Sequence, residues 1–256
     1  MSRLLAPLLA PLLATLTLLS PLAARADVVQ IAVAANFAKP MAQIAEGFTA
    51  ATGHQVRISV GATGTLYAQI VAGAPFDILL SADEATPRKL VKQGLGVAGT
   101  QFTYAIGKLA LYSAKPGFVD QQGAVLAGGA FDHLALADAK VAPYGAAALQ
   151  VLAARGLLDR LKPKIVTAES IGQAYQFTAS GNAELGFVAL SQLLVPGTTM
   201  TGSLWTVPQA LYTPLRQDAV LLQPGKDKAA AQALMLWLHQ EPTKTVLEIY
   251  GYGHAD

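Results

Sequence analysis

Four turns in this chain combine residues suited to starting a helix with backbone free to donate. They are Ala34-Ala35-Asn36-Phe37, Gly61-Ala62-Thr63-Gly64-Thr65, Pro143-Tyr144-Gly145 and Glu169-Ser170-Ile171-Gly172. A helix beginning at such a turn offers unpaired backbone N–H groups, backed by the positive end of its dipole. Several of these starts facing one space would hold a dianion with neutral donors alone, without lysine or arginine. Taken singly, each turn is better read as ordinary capping, and Asn36 is placed to cap the helix that follows it. Their joint occurrence is what points to an anion site.

Catalytic chemistry is poorly supplied by comparison. His54, His133, His239 and His254 are scattered, and neither an H-E-x-x-H nor a G-x-S-x-G pattern occurs, so the histidines read as surface or capping residues. Gly61-Ala62-Thr63-Gly64 lacks the lysine that a nucleotide-phosphate loop requires. An exported hydrolase with a Ser or Asp nucleophile remains as an alternative. It would need a His or Glu beside Thr63 or Ser191, and no histidine lies near them in sequence. No catalytic residue and no cofactor is expected. In Phe76-Asp77-Ile78-Leu79-Leu80-Ser81-Ala82-Asp83 both acids read as structural, because a carboxylate on a dianion would repel it. Asp77 is expected to accept a hydrogen bond, and Ser81 or Asp83 to cap the next helix.

The elements that must position these turns alternate along the chain. Strands are expected at Gln30–Ala35, around Val56–Val60, at Phe76–Leu80, Leu134–Ala137, Lys164–Thr167 and Leu185–Leu190. Helices are expected at Phe37–Ala51, after Thr63, near Pro87–Gln93, at Ala146–Arg155, Gln173–Ala179, Lys228–His239 and Thr243–Tyr250. This rhythm predicts α/β units on mainly parallel sheets, and ligands of such sheets sit beyond the carboxyl ends of the strands. Two long extended stretches, Phe102–Ser113 and Leu211–Leu222, fit either crossover strands between two lobes or ordinary edge pairings.

Hydrophobic residues make up 53% of the chain and charged ones 13%, and part of that excess is local to the start. Arg3, the apolar run Leu4–Leu22 and Ala24-Arg25-Ala26 form the pattern of a cleavable export signal over residues 1–26. Pro7, Pro11 and Pro21 interrupt that run, which argues against a membrane anchor. Cleavage before Asp27 removes Arg3 and Arg25 and no acid, taking the formal net charge from +2 to zero. A polybasic nucleic-acid surface is therefore not expected. The absence of cysteine rules out disulfides, thiol chemistry and a lipid-anchored cysteine.

Val33-Ala34-Ala35-Asn36-Phe37, Gly61-Ala62-Thr63-Gly64-Thr65-Leu66, Gly73-Ala74-Pro75-Phe76-Asp77 with Ser81-Ala82-Asp83, and Gly186-Phe187-Val188-Ala189-Leu190-Ser191 together carry a family likeness. In order and spacing they resemble the periplasmic molybdate-binding proteins of ABC transporters, over nearly the whole mature chain. The resemblance implies the type II periplasmic-binding-protein fold, with two α/β lobes joined by two crossover strands and the anion between them. It places lobe 1 at residues 27–106 plus 213–256 and lobe 2 at 107–212. It implies side-chain donors at Asn36 and Thr63 and backbone N–H donors at Tyr144 and Ile171. These four would hold molybdate, or tungstate, as an oxyanion. Some relatives add a tyrosine hydroxyl where this chain has Ala189, so that ligand is missing here; Tyr144 could contribute instead through backbone or side chain, of which the resemblance implies only the backbone role. The resemblance further implies a membrane permease as partner, a monomer, and residence in the periplasm. A sulfate or thiosulfate receptor is the alternative within the same class.

Overall fold

Val29, Ile31 and Val33 are fully buried, and they draw Val28–Ala34 (β1) into the interior of a sheet. In the computed structural model, which describes residues 26–253, β1 pairs in parallel with Gln55–Gly61 (β2) and with Ile78–Leu80 (β3). Between β1 and β2 a short 3-10 turn, Ala35–Phe37, leads into the helix Ala38–Thr52 (α1). Met41, Ile44, Ala45 and Phe48 recur at helical spacing and form its buried face. Gly53 then ends α1 in the left-handed conformation, where a residue without a Cβ meets no steric cost. Thr63–Val71 (α2) follows β2, and Ala85–Lys92 (α3) follows β3.

The chain next crosses to a second sheet. Phe102–Gly107 (β4) belongs to the first sheet and Leu109–Ser113 (β5) to the second, with Lys108 alone between them. The second sheet is built with Val125–Gly128 (α4), Leu134–Ala137 (β6), Pro143–Ala154 (α5), Leu158–Leu161 (α6), Ile165–Ala168 (β7) and Ile171–Ala179 (α7). Leu185–Ala189 (β8), Leu190–Leu193 (α8) and Ser203–Thr206 (β9) complete it. The return passes through residues 207–214 into Leu215–Leu221 (β10), which lies back in the first sheet. Ala229–Trp237 (α9) and Glu241–Ile249 (α10) then cover that sheet. The strand orders are β2-β1-β3-β10-β4 and β7-β6-β8-β5-β9.

Both extended stretches thus take part in crossings between the sheets. The Phe102–Ser113 stretch does so directly, whereas in Leu211–Leu222 only the part from Leu215 is strand. The sheets are mixed rather than mainly parallel. β1 and β6 make the parallel pairings, while β10 runs antiparallel to β3 and β4, and β5 runs antiparallel to β8 and β9. The reason is the crossing itself: a strand arriving from the other lobe enters its sheet from the opposite end, which reverses it against its neighbours. The export signal and His254 lie outside the described residues.

Candidate functional site

The carboxyl ends of strands from both sheets meet across a narrow cleft. Asn36, Thr63, Tyr144 and Ile171 all line one cavity there, together with small residues such as Ala35, Gly61 and Ala142. The cavity is small, about 10 Å³ in volume. No lysine, arginine, histidine or carboxylate is among its lining residues. Two grooves of about 480 Å³ open on either side; Lys140 and Arg216 line one, Lys39 and Glu169 the other.

Thr63, Tyr144 and Ile171 each reach the cavity from the start of an α-helix, and Asn36 from the 3-10 turn before α1. Thr63 is the first residue of α2, and its Oγ1 accepts the N–H of Ala82 at 3.0 Å. The acceptor side of the hydroxyl is therefore occupied, and its proton is left to donate. Tyr144 and Ile171 stand in the first turns of α5 and α7, and among the described residues neither backbone N–H has a protein acceptor. Pro143 at the first position of α5 removes one N–H that would otherwise be orphaned. Ser170 Oγ accepts the N–H of Gln173 at 3.2 Å, so α7 is capped beyond the two amides nearest the cavity.

Asn36 does not cap α1. It lies inside the 3-10 turn, where its side chain makes no cap bond. Its Nδ2 instead donates to Gln217 Oε1 at 2.8 Å and to Tyr252 Oη at 3.0 Å. Tethering the side chain to β10 and to the segment after α10 takes it away from the helix start. Its Oδ1 is buried and has no partner among the described residues.

The two acids behave as structural groups. Asp77 Oδ2 accepts the N–H of Gln30 at 2.8 Å, and Lys228 Nζ lies 2.8 Å from Oδ1. Asp83 Oδ1 accepts the N–H of Thr86 at 2.8 Å, which makes Asp83, not Ser81, the group that caps α3. Ala189, buried at the end of β8, supplies only its N–H, and that donates to Gln192 Oε1 at 2.9 Å.

Around the cavity lies a set of buried polar residues that helix-start reasoning overlooks: Gln217, Tyr104, Tyr252 and Ser191. Gln217 Nε2 donates to Tyr144 Oη at 2.9 Å, while Tyr104 Oη donates to Gln217 Oε1 at 2.9 Å. Ser191 Oγ donates to the carbonyl of Asn36 at 3.0 Å. Burial pushes the hydroxyls of Tyr104, Tyr144 and Tyr252 up from the ordinary phenol range, so all three keep their protons. The signal available in the sequence was Arg216-Gln217-Asp218, three polar residues in a row ahead of the apolar end of β10.

Nucleophilic chemistry finds no base here. Thr63 and Ser191 bond to Ala82, Asn36 and Tyr252. His54 bonds the N–H of Asp27, His133 sits beside Glu184, and His239 stacks on Phe102, all away from the cavity. Two mixed α/β sheets joined by crossing strands, with helix starts converging between them, define a two-lobed solute-binding protein of the type II periplasmic kind.

Residues 29–253 match the family model described as bacterial extracellular solute-binding protein, and the chain belongs to that family. Its members bind solutes and are not enzymes. The chain is 58% identical over 231 residues to the molybdate-binding protein ModA of Azotobacter vinelandii, covering 90% of this chain and 92% of that one. It is 49% identical to the ModA of Rhodobacter capsulatus, covering 90% of each. Among solved structures it resembles the Azotobacter vinelandii periplasmic molybdate-binding protein, with a TM-score of 0.87 and 45% identity over 89% of this chain and all of that one.

Proposed function

We propose that this protein is the periplasmic receptor of an ABC-type uptake system for molybdate, with tungstate as a second substrate. One observation carries the reading: the cavity between the lobes is lined by neutral donors at helix starts and by no cation or acid. Molybdate at neutral pH is a fully deprotonated dianion that accepts hydrogen bonds and donates none. A wall of donors suits it and disfavours a protonated phosphate, whose O–H needs an acceptor. The Thr63 hydroxyl, the backbone N–H groups of Tyr144 and Ile171, and the Asn36 amide would hold its oxygens. Each charge-assisted bond contributes about 1.5–3 kcal/mol, so a handful reaches micromolar or tighter affinity after desolvation and ordering costs. The relatives named for molybdate binding support the choice of anion.

The receptor is exported with its signal cleaved before Asp27. It works as a monomer, closes on the anion, and presents the closed form to a membrane permease. Calorimetric titration of the purified protein with molybdate, tungstate, sulfate and phosphate tests this. The expected result is tight binding of the first two and weak binding of the others. Tight sulfate binding without a molybdate signal would replace the assignment by a sulfate or thiosulfate receptor, since tetrahedral dianions differ here chiefly in size.

A further inference from the structure

The side-chain amide of Asn36 has the wrong polarity for a ligand that only accepts. Asn36 is 2% exposed, both protons of its Nδ2 are used on Gln217 Oε1 and Tyr252 Oη, and the remaining corner of the amide is Oδ1, without a partner. A buried acceptor left bare costs about 1–3 kcal/mol. Facing a dianion it would also repel.

A primary amide turned through 180° exchanges its oxygen and nitrogen while the neighbouring heavy atoms stay in place. Turning Asn36 alone sets its Oδ1 against Gln217 Oε1, two acceptors at 2.8 Å with no proton between them. Turning both amides together restores donor–acceptor pairing between Asn36, Gln217 and the three tyrosines. Gln217 Nε2 then donates to Asn36 Oδ1 and to Tyr104 Oη, which frees the one Tyr104 proton for the Ser81 carbonyl at 3.0 Å. Tyr144 donates its hydroxyl proton to Gln217 Oε1 instead of accepting from Nε2. Tyr252 donates to Asn36 Oδ1, and Ser191 still satisfies the Asn36 carbonyl. In this setting every other group of the network is paired, and Asn36 presents its NH₂ at the bare corner, open to an acceptor.

The surroundings are shaped to hold Gln217 at this junction. Tyr104 is the extra residue of a bulge in β4, where Gln217 pairs with Ala105 and Asp218 with Thr103; bulges re-aim side chains in this way. A Cβ on Gly107, the last residue of β4 before the crossing, would overlap the Tyr144 hydroxyl and the Gln217 amide. Gln217 thereby joins a residue of each lobe, Asn36 and Tyr144, and Tyr144 also has its backbone N–H at the cavity.

From these contacts we infer that Gln217 is a positioning residue that sets the polarity of Asn36. The two amides are set together, and only the setting in which Asn36 donates leaves the Tyr104 proton for the Ser81 carbonyl, so the network holds Asn36 as a donor. Gln217 therefore discriminates between oxyanions by their protonation, favouring molybdate over hydrogen phosphate. This rests on the oxyanion reading given above.

Side-chain amide NMR on the unaltered protein tests the turn directly. With molybdate bound, the Gln217 NH₂ protons should show their stronger cross-relaxation to the ring of Tyr104. Stronger cross-relaxation to the ring of Tyr144 in the bound protein overturns the inference. Gln217→Glu supplies the second arm, because a carboxylate accepts only and keeps the Asn36 NH₂ turned away from the cleft. Its preference for molybdate over hydrogen phosphate should fall by roughly 10- to 100-fold, one charge-assisted bond's worth. Gln217→Met leaves Asn36 free to turn and should lose less of that preference. An unchanged preference in Gln217→Glu also overturns the inference. If neither variant folds, the NMR result decides. Absence of any molybdate binding by the unaltered protein would instead refute the anion assignment itself.

Discussion

The N–H of Gly64 donates to the carbonyl of Val141 at 2.8 Å, so the lobes touch backbone to backbone beside the cavity. Gly64 is the second residue of α2 and Val141 lies two residues before α5, so the bond links two of the helix starts that line the site. One first-turn donor of α2 is thus spent on holding the lobes together rather than on a ligand. The contact depends on glycine: a Cβ built at Gly64 lies 2.9 Å from both the Cα and the Cβ of Val141.

Gly64→Ala should therefore weaken anion binding without weakening the lobe that carries it. Alanine favours the helix by about 1 kcal/mol over glycine, which supports α2. The clash acts only when the lobes close, and overpacking of this kind costs about 1–3 kcal/mol. Calorimetry should show a loss of roughly 5- to 150-fold in affinity, while the melting temperature without ligand holds or rises. Small-angle scattering should show the variant staying more open under saturating molybdate. Wild-type affinity in Gly64→Ala would mean that the closed state does not need this contact.

Thr63 separates binding from stability in a different way. Its Oγ1 accepts from Ala82 N–H, so Thr63→Val removes a donor from the cavity and also strands a buried amide. Affinity should fall by about 1.5–3 kcal/mol and stability by about 1–3 kcal/mol. Thr63→Ser keeps both bonds and should lose little of either. Measuring affinity and melting temperature for the pair checks this. The loss of stability could not be expected from sequence, where Thr63 is only a helix-starting hydroxyl and the approach of β3 is not visible.

That difference marks where the sequence stops being legible. Apolar periodicity located the strands and helices to within a few residues, because one buried face per element leaves a repeating trace. The four turns were legible from their capping and glycine residues, the four donors were implied by the family resemblance, and the fold brings Asn36, Thr63, Tyr144 and Ile171 to one cavity. What periodicity cannot carry is direction and partnership. Antiparallel pairing of β10 and β5 follows from the crossings, which involve residues far apart in the chain. Asn36 looked like a cap because capping is local, yet its partners Gln217 and Tyr252 lie 181 and 216 positions away. Likewise the bulge that aims Tyr104 at Gln217 has no local signature.

Alkaline pH gives a test of the buried tyrosines. Burial raises Tyr104, Tyr144 and Tyr252 above their value in the unfolded chain, which is about 10. A raised folded value means that stability is fully present below the unfolded value. It is then lost as pH climbs through and beyond it, because the unfolded chain releases those protons first. Thermal melts should therefore hold steady from pH 7 to about 9 and fall from about pH 10 upward. Tyr252→Phe should flatten part of that fall. A melting temperature that declines steeply between pH 7 and 9 would place the loss on other groups.

Lys228 and Asp77 offer the converse case, in which stability changes and binding does not. Asp77 is fully buried, and its two oxygens face Gln30 N–H and Lys228 Nζ, each at 2.8 Å. Lys228→Met leaves a carboxylate in the interior with one backbone donor and no opposing charge. Complete loss of a buried partner costs about 3–5 kcal/mol, but Lys228 is 43% exposed and solvent already screens it, so about 1–3 kcal/mol is expected. Neither residue lines the anion cavity, and Asp77 anchors β1 from the end of the strand opposite Asn36. Denaturant unfolding should show the lower stability while calorimetry returns the wild-type molybdate affinity. A parallel loss of affinity would mean that the Asp77–Lys228 pair holds the register of β1, and through it the turn that carries Asn36.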